Sequence, residues 1–92
     1  MMKHQQVIQA WIAGRPAEGN SMSTDGRNLF SYSLPIARYS WSDDRPVVFD
    51  YTAGSGNFVS VTTSKQINQT IRWLAEEGKT AHVIHPEVEG LI

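Results

Sequence analysis

Residues 20–65, NSMSTDGRNLFSYSLPIARYSWSDDRPVVFDYTAGSGNFVSVTTSK, alternate strand-forming runs with turn residues over half the chain, and their reading decides the fold. Asp25-Gly26 is the strongest local signal, because this dipeptide supplies the positive backbone angles of a two-residue hairpin loop. Ser21 to Thr24 reads as the strand before it. After it a strand begins near Asn28 and alternates, with Phe30, Tyr32, Leu34 and Ile36 on one face, expected inward, and Ser31 and Ser33 on the other. Pro35 has no amide hydrogen to give to a ladder, so it marks an edge or a bulge, and the aromatic phase changes beyond it at Tyr39 and Trp41. A bulge returns those two rings to the core; without one they stand exposed. Ser42 to Pro46 reads as a turn, and Val47, Phe49 and Tyr51 then alternate with Val48, Asp50 and Thr52. Gly54 to Asn57 turns the chain into Phe58 to Thr62. The sum is an antiparallel four-stranded meander.

Helices are expected on both sides of this run. From Lys3 to Ala13 the residues Val7, Ile8, Trp11 and Ile12 form one apolar stripe, with Gly14 as the stop and Pro16 barring resumption. Thr63-Ser64-Lys65-Gln66 has the Thr-x-x-Gln form of a capping box. It predicts a helix to about Glu77, with Ile67, Thr70, Ile71 and Leu74 on one face and Gly78 as its stop. A short strand from Ala81 to His85 follows, then a tail from Pro86. The fold class is therefore α+β, a sheet packed by an N-terminal and a C-terminal helix, with a short final strand.

A chain of 92 residues with 40% hydrophobic side chains suits a single compact domain spanning residues 1–92. The absence of cysteine removes disulfides, thiol redox chemistry and thiolate zinc sites. The N-terminal segment is too short and too polar for a signal peptide or a membrane span, which makes the cell interior the expected location. Eight Lys and Arg against nine Asp and Glu give a net charge of -1. That balance speaks against both a strongly basic phosphate-binding protein and an acidic mimic of DNA.

Catalytic and metal-ligating patterns are sparse. His82 and His85 are three apart on an expected strand and point to opposite faces. The carboxylates at Asp43-Asp44, Glu76-Glu77, Glu87 and Glu89 fall in turns, a helix end or the tail, where water solvates them. Asp25 is explained as a turn residue, and Asp50 is placed to pair with Arg38 or Arg45. No serine has an assignable base in sequence order, and Gly54-Ser55-Gly56 joins two strands without opening a helix. The expectation is a protein without catalysis, cofactor or metal.

What remains is a face. Ser31, Ser33, Asp50, Thr52, Ser60 and Thr62 are expected to make a hydroxyl-rich outer sheet surface. Arg27, Asn28, Arg38, Arg45, Lys65, Tyr39 and Trp41 are the candidate partner-binding residues at its border, since Arg and aromatic side chains anchor interfaces. Serine and threonine at the strand centres speak against base stacking.

The segment STDGRNLFSYSLPIARYSW...RPVVFDYTAGSGNFVSVTTSKQIN resembles a family of short phage and prophage proteins. Those share the order of a Thr-Asp-Gly-Arg turn, an alternating aromatic strand, an Asp-Tyr-Thr strand and a Thr-Thr-Ser-Lys helix start, over residues 21–68 here. Small phage proteins of this size and without catalytic apparatus include the anti-CRISPR proteins. The resemblance implies a stoichiometric inhibitor in the host bacterial cytoplasm. Its partner would be a multi-subunit ribonucleoprotein complex of Cas proteins and guide RNA, of type I and I-F-like, whose recognition of target DNA it blocks. A monomer is expected, and an accessory phage protein that binds nucleic acid or regulates transcription is the alternative.

Overall fold

A computed structural model describes residues 3–40, 42–51 and 61–85. Helix α1 (His4–Ile12) is followed by strands β1 (Pro16–Glu18), β2 (Met22–Asp25), β3 (Asn28–Ser31), β4 (Leu34–Ser40) and β5 (Arg45–Phe49), then helix α2 (Val61–Glu76) and strand β6 (His82–Ile84). The six strands lie in one sheet in chain order; β1 to β5 pair antiparallel, and β6 pairs parallel to β5. A parallel neighbour requires a crossover, and α2 supplies it.

Both helices end as their sequences require. Gly14 and Gly78 take left-handed angles (φ 76° and 73°). The amides just beyond them, on Arg15 and Lys79, reach back to the carbonyls of Ala10 and Leu74 at 2.8 and 2.9 Å. This is the glycine-closed turn that satisfies the last free carbonyls of a helix. The expected capping box at the start of α2 is not formed. The helix begins at Val61, so Thr63 lies inside it, and its hydroxyl meets Ser31 Oγ at 2.9 Å. Val61 and Thr62 are thus helical rather than the end of a strand from Phe58, whose earlier residues lie outside the described ones.

Strand β3 differs most from expectation. The chain does not run straight from Asn28 to Ile36 but folds back at Tyr32-Ser33, with Tyr32 at φ 57° and Ser31 facing Leu34. The phase is also reversed: Leu29 and Ser31 point inward and are buried, whereas Phe30 points outward and is half-buried. Of the two readings that Pro35 leaves open, an edge or a bulge, the structure has the bulge, in β4. Leu29 faces Ala37 and Phe30 faces Pro35, which leaves Ile36 as the extra residue. Pro35 therefore sits where the ladder is already interrupted. Resetting the phase turns Tyr39 into the core, 0% exposed, instead of onto the rim where a partner would meet it.

Trp11 is the centre of the packing between α1 and the sheet. Its ring meets Tyr39 edge-on at 5.6 Å between centroids, and its Nε1 donates to the Arg27 carbonyl at 2.8 Å. Tyr39 donates its amide to the same oxygen at 2.8 Å, so the hairpin loop is tied to helix and sheet at one atom. Val7, Ile8, Met22, Leu29, Ile36, Tyr39, Val48, Ile67 and Leu74 are among the residues that join Trp11 in one continuous buried cluster. Strand β5 is buried on both faces from Pro46 to Phe49. No described helix is long and apolar enough to cross a membrane.

Candidate functional site

Residues directly opposite in a sheet share a face, and the register therefore sorts the candidates. Asn28 faces Arg38, Arg38 faces Val47, and Ser40 faces Arg45. Since Arg38 and Ser40 are two apart in β4, Asn28, Arg38 and Arg45 lie on one side of three adjacent strands. Phe30, two residues from Asn28 in β3, lies on that side too. It is the side away from α2, because Ser31 on the opposite face meets Thr63. The Arg38 guanidinium lies over the Phe49 ring, 5.9 Å from its centroid, a cation–π arrangement.

Arg27 projects from the β2–β3 loop, exposed, while its backbone is fixed from both sides. The loop geometry accounts for this. Thr24 faces Leu29, so Gly26 and Arg27 are the two loop residues, one position later than the sequence signal suggests. Gly26 has φ 98°. The Asp25 carboxylate accepts from the amides of Asn28 and Arg27 at 2.7 and 2.9 Å and from the Asn28 side chain at 3.2 Å. These bonds, the Asn28 amide foremost, hold its carboxyl below the usual carboxylate range.

Beside Arg27 a shallow depression of about 290 Å³ is lined by Arg27, Tyr39, Ser40 and Ser42. Tyr39 reaches its edge only through the hydroxyl, which donates to Asp44 Oδ1 at 2.6 Å; Lys79 approaches the same oxygen at 3.4 Å. The Tyr39 hydrogen bond and then Lys79 hold the Asp44 carboxyl low, and burial pushes the Tyr39 phenol up. This cluster pins the turn before β5 to the chain leaving α2.

The sequence-based candidates therefore divide. Asn28, Arg38 and Arg45 come together on the outer face, with Arg27 at the adjoining loop. Lys65 is exposed on α2, on the other side of the sheet, and does not join them. Tyr39 is interior, and Trp41 lies outside the described residues. The expected hydroxyl-rich face is not found as such: Ser31 is buried, Ser33 is in a turn, Thr62 is helical, and Thr52 and Ser60 lie outside the described residues. Phe30, expected inward, and Ser31, expected outward, have changed sides. The Leu29-Phe30 pair offers an apolar residue in either phase, and only Thr63, distant in sequence, makes room for Ser31 inside.

Among the described residues no group of three His, Asp or Glu side chains is placed to hold a metal ion. No protein-family model matches the chain, and no curated protein or solved structure is significantly similar to it.

Proposed function

We propose that this protein acts by binding a partner through the outer face of the sheet, with Arg38 and Arg45 as its central cations and Arg27 and Asn28 at its margin. The observation that carries this reading is the placement of Asn28, Arg38 and Arg45 across β3, β4 and β5 on one side. Neither Arg27 nor Arg45 forms an ion pair with a described residue. Cations spread over three adjacent strands suit an extended anionic or mixed surface better than a small ligand. Together with the resemblance of residues 21–68 to short phage proteins, this supports a stoichiometric inhibitor of a type I CRISPR surveillance complex that obstructs target-DNA recognition.

The test mixes the protein with purified type I surveillance complexes. Co-elution and loss of target-DNA binding are expected. Arg38→Glu with Arg45→Glu should abolish both, and Lys65→Glu should leave them unchanged. Failure of the wild-type protein to associate removes the inhibitor reading; an effect of Lys65→Glu alone moves the surface to the helical side.

Phe30 favours a second reading. A half-buried ring on the same face as the arginines is the combination with which sheets hold unpaired bases, so the earlier objection to stacking loses its basis at this position. Salt-sensitive binding of single-stranded RNA or DNA without any protein partner, weakened by Phe30→Ala, would support an accessory nucleic-acid-binding role.

A further inference from the structure

Where the two helices meet the β1–β2 loop, four polar side chains form a connected chain. His4 opens α1, Gln66 and Gln69 lie on α2, and Ser21 is the second residue of a two-residue loop closed by the Gly19 amide donating to the Met22 carbonyl at 2.8 Å. Ser21 Oγ stands 3.0 Å from His4 Nε2, and His4 Nδ1 stands 3.2 Å from Gln69 Oε1. An amide oxygen only accepts, so Nδ1 carries the imidazole proton and Nε2 presents its lone pair to the serine hydroxyl.

Gln66 supports the same serine. Its Nε2 lies 3.0 Å from Ser21 Oγ, 3.3 Å from the Ser21 carbonyl and 3.3 Å from His4 Nε2, so its two hydrogens are shared among three acceptors and it holds the serine oxygen and the imidazole nitrogen together. A carbonyl only accepts, so that end of the amide is nitrogen, and Oε1 is left buried without a partner. Gln66 is 0% exposed, whereas Ser21 and His4 are only half-buried. A buried amide with an unsatisfied oxygen is a poor choice for packing alone. It is well suited to holding a serine oxygen in one place.

We infer that Ser21 is a nucleophile toward small carboxylic esters, with His4 as its general base and Gln69 as the residue positioning the imidazole. Both separations fall within hydrogen-bond reach for a nucleophile and its base and for a base and its orienting group. Ser21 Oγ adds to the ester carbonyl carbon as its proton passes to His4 Nε2. The bond to the alcohol oxygen then breaks, that oxygen takes the proton from His4, and the acyl group remains on Ser21. Water, deprotonated by the same nitrogen, releases the carboxylic acid and regenerates the serine. The amides of Asn20 and Ser21 at the loop tip form no backbone hydrogen bond among the described residues and are the donors available to the developing oxyanion. Ser21 and His4 are half-buried at a loop and a helix start, a setting that suits a short acyl chain on a good leaving group.

The test uses the full chain with 4-nitrophenyl acetate and, separately, diisopropyl fluorophosphate. A burst of nitrophenolate approaching one per chain is expected, with the phosphoryl label mapped to Ser21 by peptide mass spectrometry. Ser21→Ala should remove burst and label while keeping all three histidines, so that hydrolysis by exposed imidazole is subtracted. His4→Gln should slow the burst about 100-fold or more. Gln69→Leu should slow it less, and Gln69→Glu should restore it, as a positioning role requires. Equal turnover by wild type and Ser21→Ala, or a label on another residue, overturns the inference. Mapping the label on the wild-type chain decides the matter even if a variant fails to fold.

Discussion

Tyr32 holds a left-handed backbone angle, φ 57°, with its ring 65% exposed. A bulky residue there costs on the order of 1 kcal/mol, and asparagine tolerates the region better. Tyr32→Asn is therefore expected to stabilise the fold by about 0.5–1 kcal/mol in urea unfolding. Reduced stability would show that the ring makes contacts worth more than its strain. Asp25 makes a prediction of opposite kind. Its carboxyl is held below the unfolded value of 3.8, so its contribution to stability is fully present above that pH and is lost as pH falls through the lowered folded value. The advantage of the wild type over Asp25→Asn in thermal melting should accordingly be constant from neutral pH down to about pH 5 and shrink below about pH 4.

Among the elements, the two hairpin and cap glycines separate backbone conformation from space. A Cβ on Gly78 would meet nothing within 4 Å, whereas one on Gly26 would lie 2.9 Å from the Gly14 carbonyl oxygen. Gly78→Ala should cost about 1 kcal/mol, from backbone strain alone. Gly26→Ala should cost roughly 2 kcal/mol or more, because the β2–β3 loop must also move off the end of α1. Urea midpoints of the two variants check the order, and equal losses would mean that the loop yields freely. Trp11 joins α1 to the sheet through a buried ring and one hydrogen bond, so Trp11→Ala is expected to lose about 3–5 kcal/mol. In a chain this short that approaches the whole stability, and loss of cooperative melting is the outcome to look for. The bulge at Ile36 acts at the same scale, because one extra residue decides whether Tyr39 packs on Trp11 or faces water.

Across the whole molecule, the sheet separates two surfaces of different character. The helical side carries most of the core, the Ser21–His4–Gln69 chain and exposed Lys65; the other side carries Phe30, Asn28, Arg38 and Arg45 around the buried Val47 and Phe49. If the arginine face is the contact surface, charge reversal at Arg38 and Arg45 should remove partner binding and leave the far-ultraviolet circular dichroism and thermal midpoint nearly unchanged, since these side chains are at the surface or only partly covered. Loss of the fold in that double variant would mean that Arg38 over Phe49 serves packing instead.

The sequence alone was enough for the elements whose signals are local. The apolar stripe of α1 and the glycine stops at Gly14 and Gly78 follow from the residues that form them; the turn at Asp25-Gly26 does too, although its loop falls one residue later, and Pro35 by itself leaves an edge and a bulge both open. The phase of β3, the turn at Tyr32, the start of α2 and the parallel docking of β6 were decided by tertiary structure. A two-residue period cannot choose between Leu29 and Phe30, and a tyrosine gives no turn signal. Thr63-Ser64-Lys65-Gln66 reads as a cap until Ser31 and Ser21 are available as partners. The same limit applies to both candidate sites: His4, Ser21 and Gln69, and likewise Asn28, Arg38 and Arg45, become neighbours only through pairings between distant parts of the chain.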